Sequence, residues 1–215
     1  MENLEQIHKV KRGGHRSDHS WETVSDILDS QFIGYFSCLR GDVPIVLPMA
    51  YGRVEKTVYI HGAMKNELMR SILESGISSM TVSIADGLVL ARSAYHHSLN
   101  YRSAVVTGPV RDVTDQEEKL LGLKAVTDQM LEGRWDEVRP PSGNEMKATR
   151  VLAFEAQYFV AKSRTGMPVD EKEDEALPIW AGIVPIAEKY GVPETDTLPG
   201  SVQELSPSVR KFGKK

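Results

Sequence analysis

A chain of 215 residues with 40% hydrophobic and 26% charged residues can bury a sizeable core and has the balance of a soluble globular domain. Its formal net charge of −4 gives no global field to recruit nucleic acid or anionic lipid, and no apolar run approaches the length of a membrane span. The single cysteine, Cys38, excludes a disulfide within the chain, and the N-terminus lacks a signal-peptide pattern, so the expected compartment is the cytoplasm.

Residues 1–19 read as a polar basic arm carrying His8, Lys9, Lys11, Arg12, His15, Arg16 and His19, the kind of segment that is ordinarily solvated. Ser20 is placed to cap a helix whose apolar side is Trp21, Val24, Ile27 and Leu28. Residues 31–39 predict a strand in which Cys38 is a small core residue, and Gly41-Asp42 is a turn into the next strand at Val43. Residues 47–70, LPMAYGRVEKTVYIHGAMKNELMR, then change period twice. Ile45, Leu47, Met49 and Tyr51 alternate with Val46, Pro48 and Ala50, and Val58 and Ile60 resume the alternation after the polar residues 53–56, which predicts a hairpin. Pro48 cannot donate to a ladder, so it implies a bulge or an edge. The spacing of Leu68, Met69, Ile72 and Leu73 predicts a helix stopped at Gly76, with Lys65 in its first turn and no Ser, Thr or Asp just before that lysine to cap it. A loop glycine, a helix N-terminus and a lysine form an anion site; the plain alternative is a lysine in solvent at a fraying end.

Residues 78–85 alternate as a half-buried strand, with Met80, Val82 and Ile84 set against Ser79, Thr81 and Ser83. Asp86-Gly87 is a hairpin signal, with 88–91 returning. The polar and aromatic stretch 93–103 precedes a strand at 104–113. Thr114 with Glu117 predicts a capping box opening a helix to about Leu131, and Ser142 with Glu145 a second box for a short helix ending near Thr149. One strand is expected over 151–162, with Leu152, Phe154, Ala156, Tyr158 and Val160 on its buried face. The same parity carries Lys162 and Arg164, which must find an anion or snorkel. The acidic residues 170–175 suit a solvated loop, and 193–215 an extended or disordered tail, leaving 20–192 as the domain. Six or seven short strands, about four helices and no regular βαβ alternation indicate a mainly β member of the α+β class, built as a small antiparallel barrel.

Adjacent His96 and His97 point to opposite sides of an extended chain, and no Cys or His pair has zinc-site spacing, so no metal site is expected. Nucleophile-elbow, Walker and GxGxxG signatures are absent. What remains is the anion loop at 62–66, the cations Arg102, Lys162 and Arg164, and the aromatic groups Tyr51, Tyr101 and Trp180. Anion donors beside flat apolar surfaces are what a phosphorylated planar cofactor requires.

The segments LPMAYG, YIHGAMK, DGLVLARSAYHHSLNYRS, GRWDEVRPP and KSRTGMPVDEKEDEALPIWAG resemble the pyridoxamine 5′-phosphate oxidase-like family, and within it the flavin-nucleotide-binding subgroup related to nitroimidazole-resistance proteins. The resemblance runs over residues 16–184. It implies an antiparallel Greek-key split β-barrel with flanking helices, a homodimer, and FMN at the subunit interface. It also implies that the backbone of Pro48, Met49, Ala50 and Tyr51 runs along the flavin ring, and that His61, Gly62 and Ala63 line the ring's edge. Lys65 and Asn66 would meet the phosphate, and Ser103, with Arg102 beside it, would contact the ring. Lys162, Arg164 and Trp180 would reach the flavin from the partner subunit. The chain departs from the pattern in three places: Lys65 stands nearly alone in its loop, a C-terminal arginine motif is missing, and Glu67 lies where nitroimidazole-resistance proteins carry a histidine. The resulting expectation is an FMN-dependent oxidoreductase acting on a small molecule, with no nucleic-acid or membrane partner and with His61 as the first choice of acid or base. The alternatives are a non-catalytic flavin or haem binding, storage or sensing module and, as a second enzyme reading, haem-linked chemistry with His96 or His97 as axial ligand.

Overall fold

The computed structural model describes residues 13–212; His8, Lys9, Lys11 and Arg12 of the basic arm, and the last three residues, lie outside them. In chain order the described elements are β1 (Ser17–Asp18), α1 (Trp21–Asp29), β2 (Ile33–Arg40), β3 (Val43–Val54), β4 (Thr57–Ala63), α2 (Glu67–Ser75), β5 (Ile77–Leu90), β6 (Ser98–Asp112), α3 (Gln116–Met130), α4 (Gly143–Ala148), β7 (Thr149–Glu155), β8 (Tyr158–Arg164), β9 (Gly182–Pro185) and α5 (Pro207–Phe212). The strands hydrogen-bond in the order β1-β8-β6-β7-β4-β3-β2-β5-β9, and β6 also pairs with β5, which closes the run from β6 to β5 on itself. The registered pairings are antiparallel. This is the connectivity of the antiparallel split barrel with flanking helices that the resemblance implies. The contacts divide the chain into two compact units.

The first unit holds residues 13–30, 81–106 and 158–188. Ser20 caps α1 as expected, its hydroxyl accepting from Thr23 N, and Val24 and Leu28 are fully buried. Trp21 meets Phe159 edge-on at 5.0 Å. Ser17 and Asp18, expected in the arm, form β1 and pair with Lys162 and Ala161.

The second unit holds residues 31–80, 107–157 and 189–212. β2 and β3 pair from Ile33↔Ala50 to Arg40↔Val43, and β3 and β4 from Tyr51↔Ile60 to Val54↔Thr57. The predicted hairpin is present, its turn set by Glu55 at φ 52. Residues 43–50 of β3 ladder only with β2, so Pro48 occupies an edge, where its missing N–H costs no bond. Phe36, Tyr51, Val58, Ile60, Met69, Ile72, Met80, Leu152 and Phe154 fill the core at 1% exposure or less, with Phe36 edge-on to Phe154 at 6.3 Å. α3 lies against β3 because Gly52 has no side chain: a Cβ there would stand 2.2 Å from the Ala125 backbone.

Four local expectations are corrected. Asp86-Gly87 makes no hairpin; β5 runs straight through it. Gly87 serves close approach instead, since a Cβ would come within 3.1 Å of Val184 O on β9. The N-cap of α3 is Asp115, not Thr114; its carboxylate accepts from Glu118 N. The strand expected over 151–162 is two strands, β7 and β8, broken at Ala156-Gln157. Val151, Leu152, Ala153 and Phe154 are all buried, so β7 is covered on both faces and shows no alternation to place its end. Finally, α2 begins at Glu67, which leaves Lys65 outside it. The second capping box is as predicted, with Ser142 and Glu145 exchanging both bonds.

Candidate functional site

The second unit places Pro48, Met49, Ala50 and Tyr51 along β3 and His61, Gly62 and Ala63 at the end of β4. Pro48 and Ala50 share the outer face of the β2–β3 ladder with their partners Tyr35 and Ile33. Tyr51 is fully buried, so only its backbone is open to a ligand role. After Ala63 the chain turns through Met64 and exposed Lys65, with Asn66 N donating to Ala63 O at 2.9 Å. Asn66 is the N-cap: its Oδ1 accepts from Leu68 N at 2.9 Å and Met69 N at 3.3 Å. Three amides that an anion would use at this helix start, those of Asn66, Leu68 and Met69, are therefore already served. A Cβ on Gly62 would lie 3.1 Å from Met69 Cγ, so packing against α2 explains that glycine. His61 is open to solvent, yet the protein around its ring desolvates it and lowers its pKa below the ordinary histidine value. It is a neutral imidazole at neutral pH, able to accept a proton.

Arg150, which sequence reasoning passed over, pairs with Gly62 across β4 and β7 and so shares its face. Its side chain is 17% exposed and its Nε stands 3.3 Å from the Asp112 carboxylate without forming a hydrogen bond. The only signal in the sequence was an arginine at the start of an apolar strand.

The first unit holds Arg102, Ser103, Lys162, Arg164 and Trp180. Arg102 is taken up by Asp86 through a two-pronged pair at 2.8 and 3.0 Å. Arg164 donates to Asn100 Oδ1 and to the carbonyls of Gly166 and Met167, so neutral oxygens satisfy it in place of the anion or solvent expected. Ser103 Oγ donates to Lys162 O at 3.1 Å, which brings β6 and β8 together. Trp180 is 65% exposed, its ring over Gly182, where a Cβ would be 2.8 Å away.

The turn after β5 carries the histidines. Arg92 N and Nη1 both donate to the Asp170 carboxylate, at 2.8 and 2.9 Å, and Asp170 is 3% exposed. Thus one end of the acidic stretch, expected as a solvated loop, is clamped on this turn. His96 Nε2 faces Glu171 at 3.4 Å. His97 Nδ1 bonds Ser93 O at 2.9 Å, and its ring is exposed. Arg92 Nε and Ser93 Oγ are buried with no hydrogen-bond partner.

Residues 20–162 match the family model described as pyridoxamine 5′-phosphate oxidase. The chain belongs to this family. Two solved structures of similar proteins match it end to end. The flavocytochrome Anf3 from Azotobacter vinelandii is 35% identical, with a TM-score of 0.86 and 94% of each chain covered. An FAD and heme binding protein from Mycobacterium smegmatis is 32% identical, with a TM-score of 0.86, 91% of this chain covered and 96% of that one. A candidate 5-nitroimidazole antibiotic resistance protein from Bacteroides thetaiotaomicron shares the family fold, at 17% identity and a TM-score of 0.59 over 68% of this chain and 85% of that one. No curated protein matches.

Proposed function

We propose that this chain binds a flavin and a non-covalent haem and works as an electron-transferring oxidoreductase on a small molecule. The observation that carries the reading is the end-to-end match to two relatives, one described as a flavocytochrome and the other as binding FAD and haem. FAD is favoured over the FMN that the resemblance implied, since one of these relatives is described as an FAD and heme binding protein. Pro48, Met49, Ala50, His61 and Lys65 are proposed to line the flavin, with Arg150 as an added cation. Arg102 and Arg164 are not, because each is committed within its own unit.

The chemistry of His97 fits a haem ligand. Its Nδ1–H is held by the Ser93 carbonyl, which leaves Nε2 with a free lone pair at the surface, the arrangement in which imidazole binds a metal. His96 is disfavoured because its Nε2 faces Glu171. A single cysteine rules out thioether attachment through two cysteines, and the haem is proposed to be held by ligation and packing. When bound, a flavin and a haem supply two-electron and one-electron chemistry respectively. The chain's part is to fix the His97 ring through Ser93 and to anchor the turn through the Arg92–Asp170 pair.

The reading extends to a homodimer in the cytoplasm. Ile33, Tyr35, Leu39 and Val46 leave an apolar face on β2 and β3 at 44–58% exposure, and a second copy is proposed to cover it. No helix among the described residues is long and apolar enough to cross a membrane.

The test is the absorption spectrum of the purified protein, with the flavin identified by chromatography after denaturation. A flavin spectrum is expected, with a Soret band on haem addition that His97→Ala abolishes and His96→Ala keeps. A folded protein that stays colourless and takes up neither flavin nor haem would sink the reading.

A further inference from the structure

On α3 the positions Lys119, Gly122 and Val126 recur at helical spacing and are all buried, so a lysine occupies a core-facing slot. Lys119 is 8% exposed. Its ammonium donates to Met146 O at 2.6 Å, and no carboxylate among the described residues lies within 4.0 Å of it. One carbonyl occupies one of the three N–H donors and gives this buried side chain no anionic counterpart. Beside it is a cavity of about 400 Å³, which Lys119 lines together with Gln116, Leu120, Pro140, Pro141, Met146 and Lys147. The walls are chiefly apolar. All these residues belong to the second unit.

We propose that this cavity binds a small monocarboxylate with an apolar body, its carboxylate on Lys119 and its body against Leu120, Pro140 and Pro141. The volume suits an organic anion better than a bare inorganic one. A carboxylate supplies the counter-charge that Lys119 lacks, and a charge-assisted bond in a desolvated site is among the stronger polar contacts. The proposal does not depend on the flavin and haem reading.

Benzoate and its uncharged analogue benzyl alcohol are the probes, titrated into the full-length protein as purified and followed by amide NMR and calorimetry. Benzoate is expected to shift signals within 116–120 and 140–147 and to bind about ten- to a hundredfold more tightly than benzyl alcohol. Lys119→Met, which keeps the stem's packing, should remove that preference, and Lys119→Arg should restore part of it. The comparison of the two probes on the unaltered protein needs no variant to fold. Equal affinity for the two probes, shifts located elsewhere, no binding, or a preference that survives Lys119→Met in a folded variant would each overturn the proposal and leave Lys119 as a tether for α4.

Discussion

Asn66 closes the start of α2 alone, since its Oδ1 accepts both Leu68 N and Met69 N. Asn66→Ala is expected to cost ~0.5–2 kcal/mol of stability in urea unfolding, whereas Lys65→Ala, at an exposed position, should stay within ~0.5 kcal/mol. Equal effects would mean that the cap carries no weight. The helix itself was legible from Leu68, Met69, Ile72 and Leu73, but its first residue was not, because a hydrophobic period says little about where capping begins. Charged residues were legible in number and not in state. Arg102, Lys162 and Arg164 read alike as cations near a candidate ligand, yet Asp86 claims the first, and Asn100 with two carbonyls the third.

At the scale of elements, α3 and α5 show what positions a neighbour. Gly52→Ala forces a Cβ to 2.2 Å from the Ala125 backbone and must part α3 from β3, costing ~1–3 kcal/mol or more. Gly143→Ala, at the first position of α4 with nothing within 4 Å, should instead stabilise by ~0.4–1 kcal/mol. Opposite signs in paired denaturation curves would support close packing at Gly52; equal signs would refute it. α5 is fastened through Glu137, whose carboxylate accepts from the hydroxyl and the backbone N–H of Ser208. These bonds, the hydroxyl's first, hold the Glu137 pKa at about 2 against an ordinary 4.5. The stabilisation is therefore complete above pH 4.5 and lost as the pH falls towards 2. Glu137→Gln should destabilise the protein near neutral pH and match the unaltered chain more closely at pH 3, read from unfolding midpoints at each pH. A gap that stays constant with pH would show that the carboxylate's charge is not involved.

At the scale of the molecule, each unit gathers segments distant in sequence, and the chain passes between units after α1, inside β5 and β6, at the break between β7 and β8, and after residue 188. That break falls where no hydrophobic period could mark it. The bare apolar face of β2 and β3 predicts the assembly state. Tyr35→Lys with Val46→Lys should turn the proposed dimer into a folded monomer, seen by light scattering and circular dichroism. A native chain that is already monomeric at micromolar concentration would dismiss the dimer.

Local order was decided by the chain's own residues. Alternation marks the first half of β5, Ser20 and Ser142 start their helices, and the motifs between 47 and 182 carry the family. Those features depend on neighbours a few residues apart, which a period or a cap records directly. Only the tertiary structure decided which cations were taken, why Gly52 and Gly87 are glycines, and that Lys119 lies buried. Arg102 meets a residue 16 positions away and Arg164 one 64 positions away, and no local pattern encodes a contact made by folding.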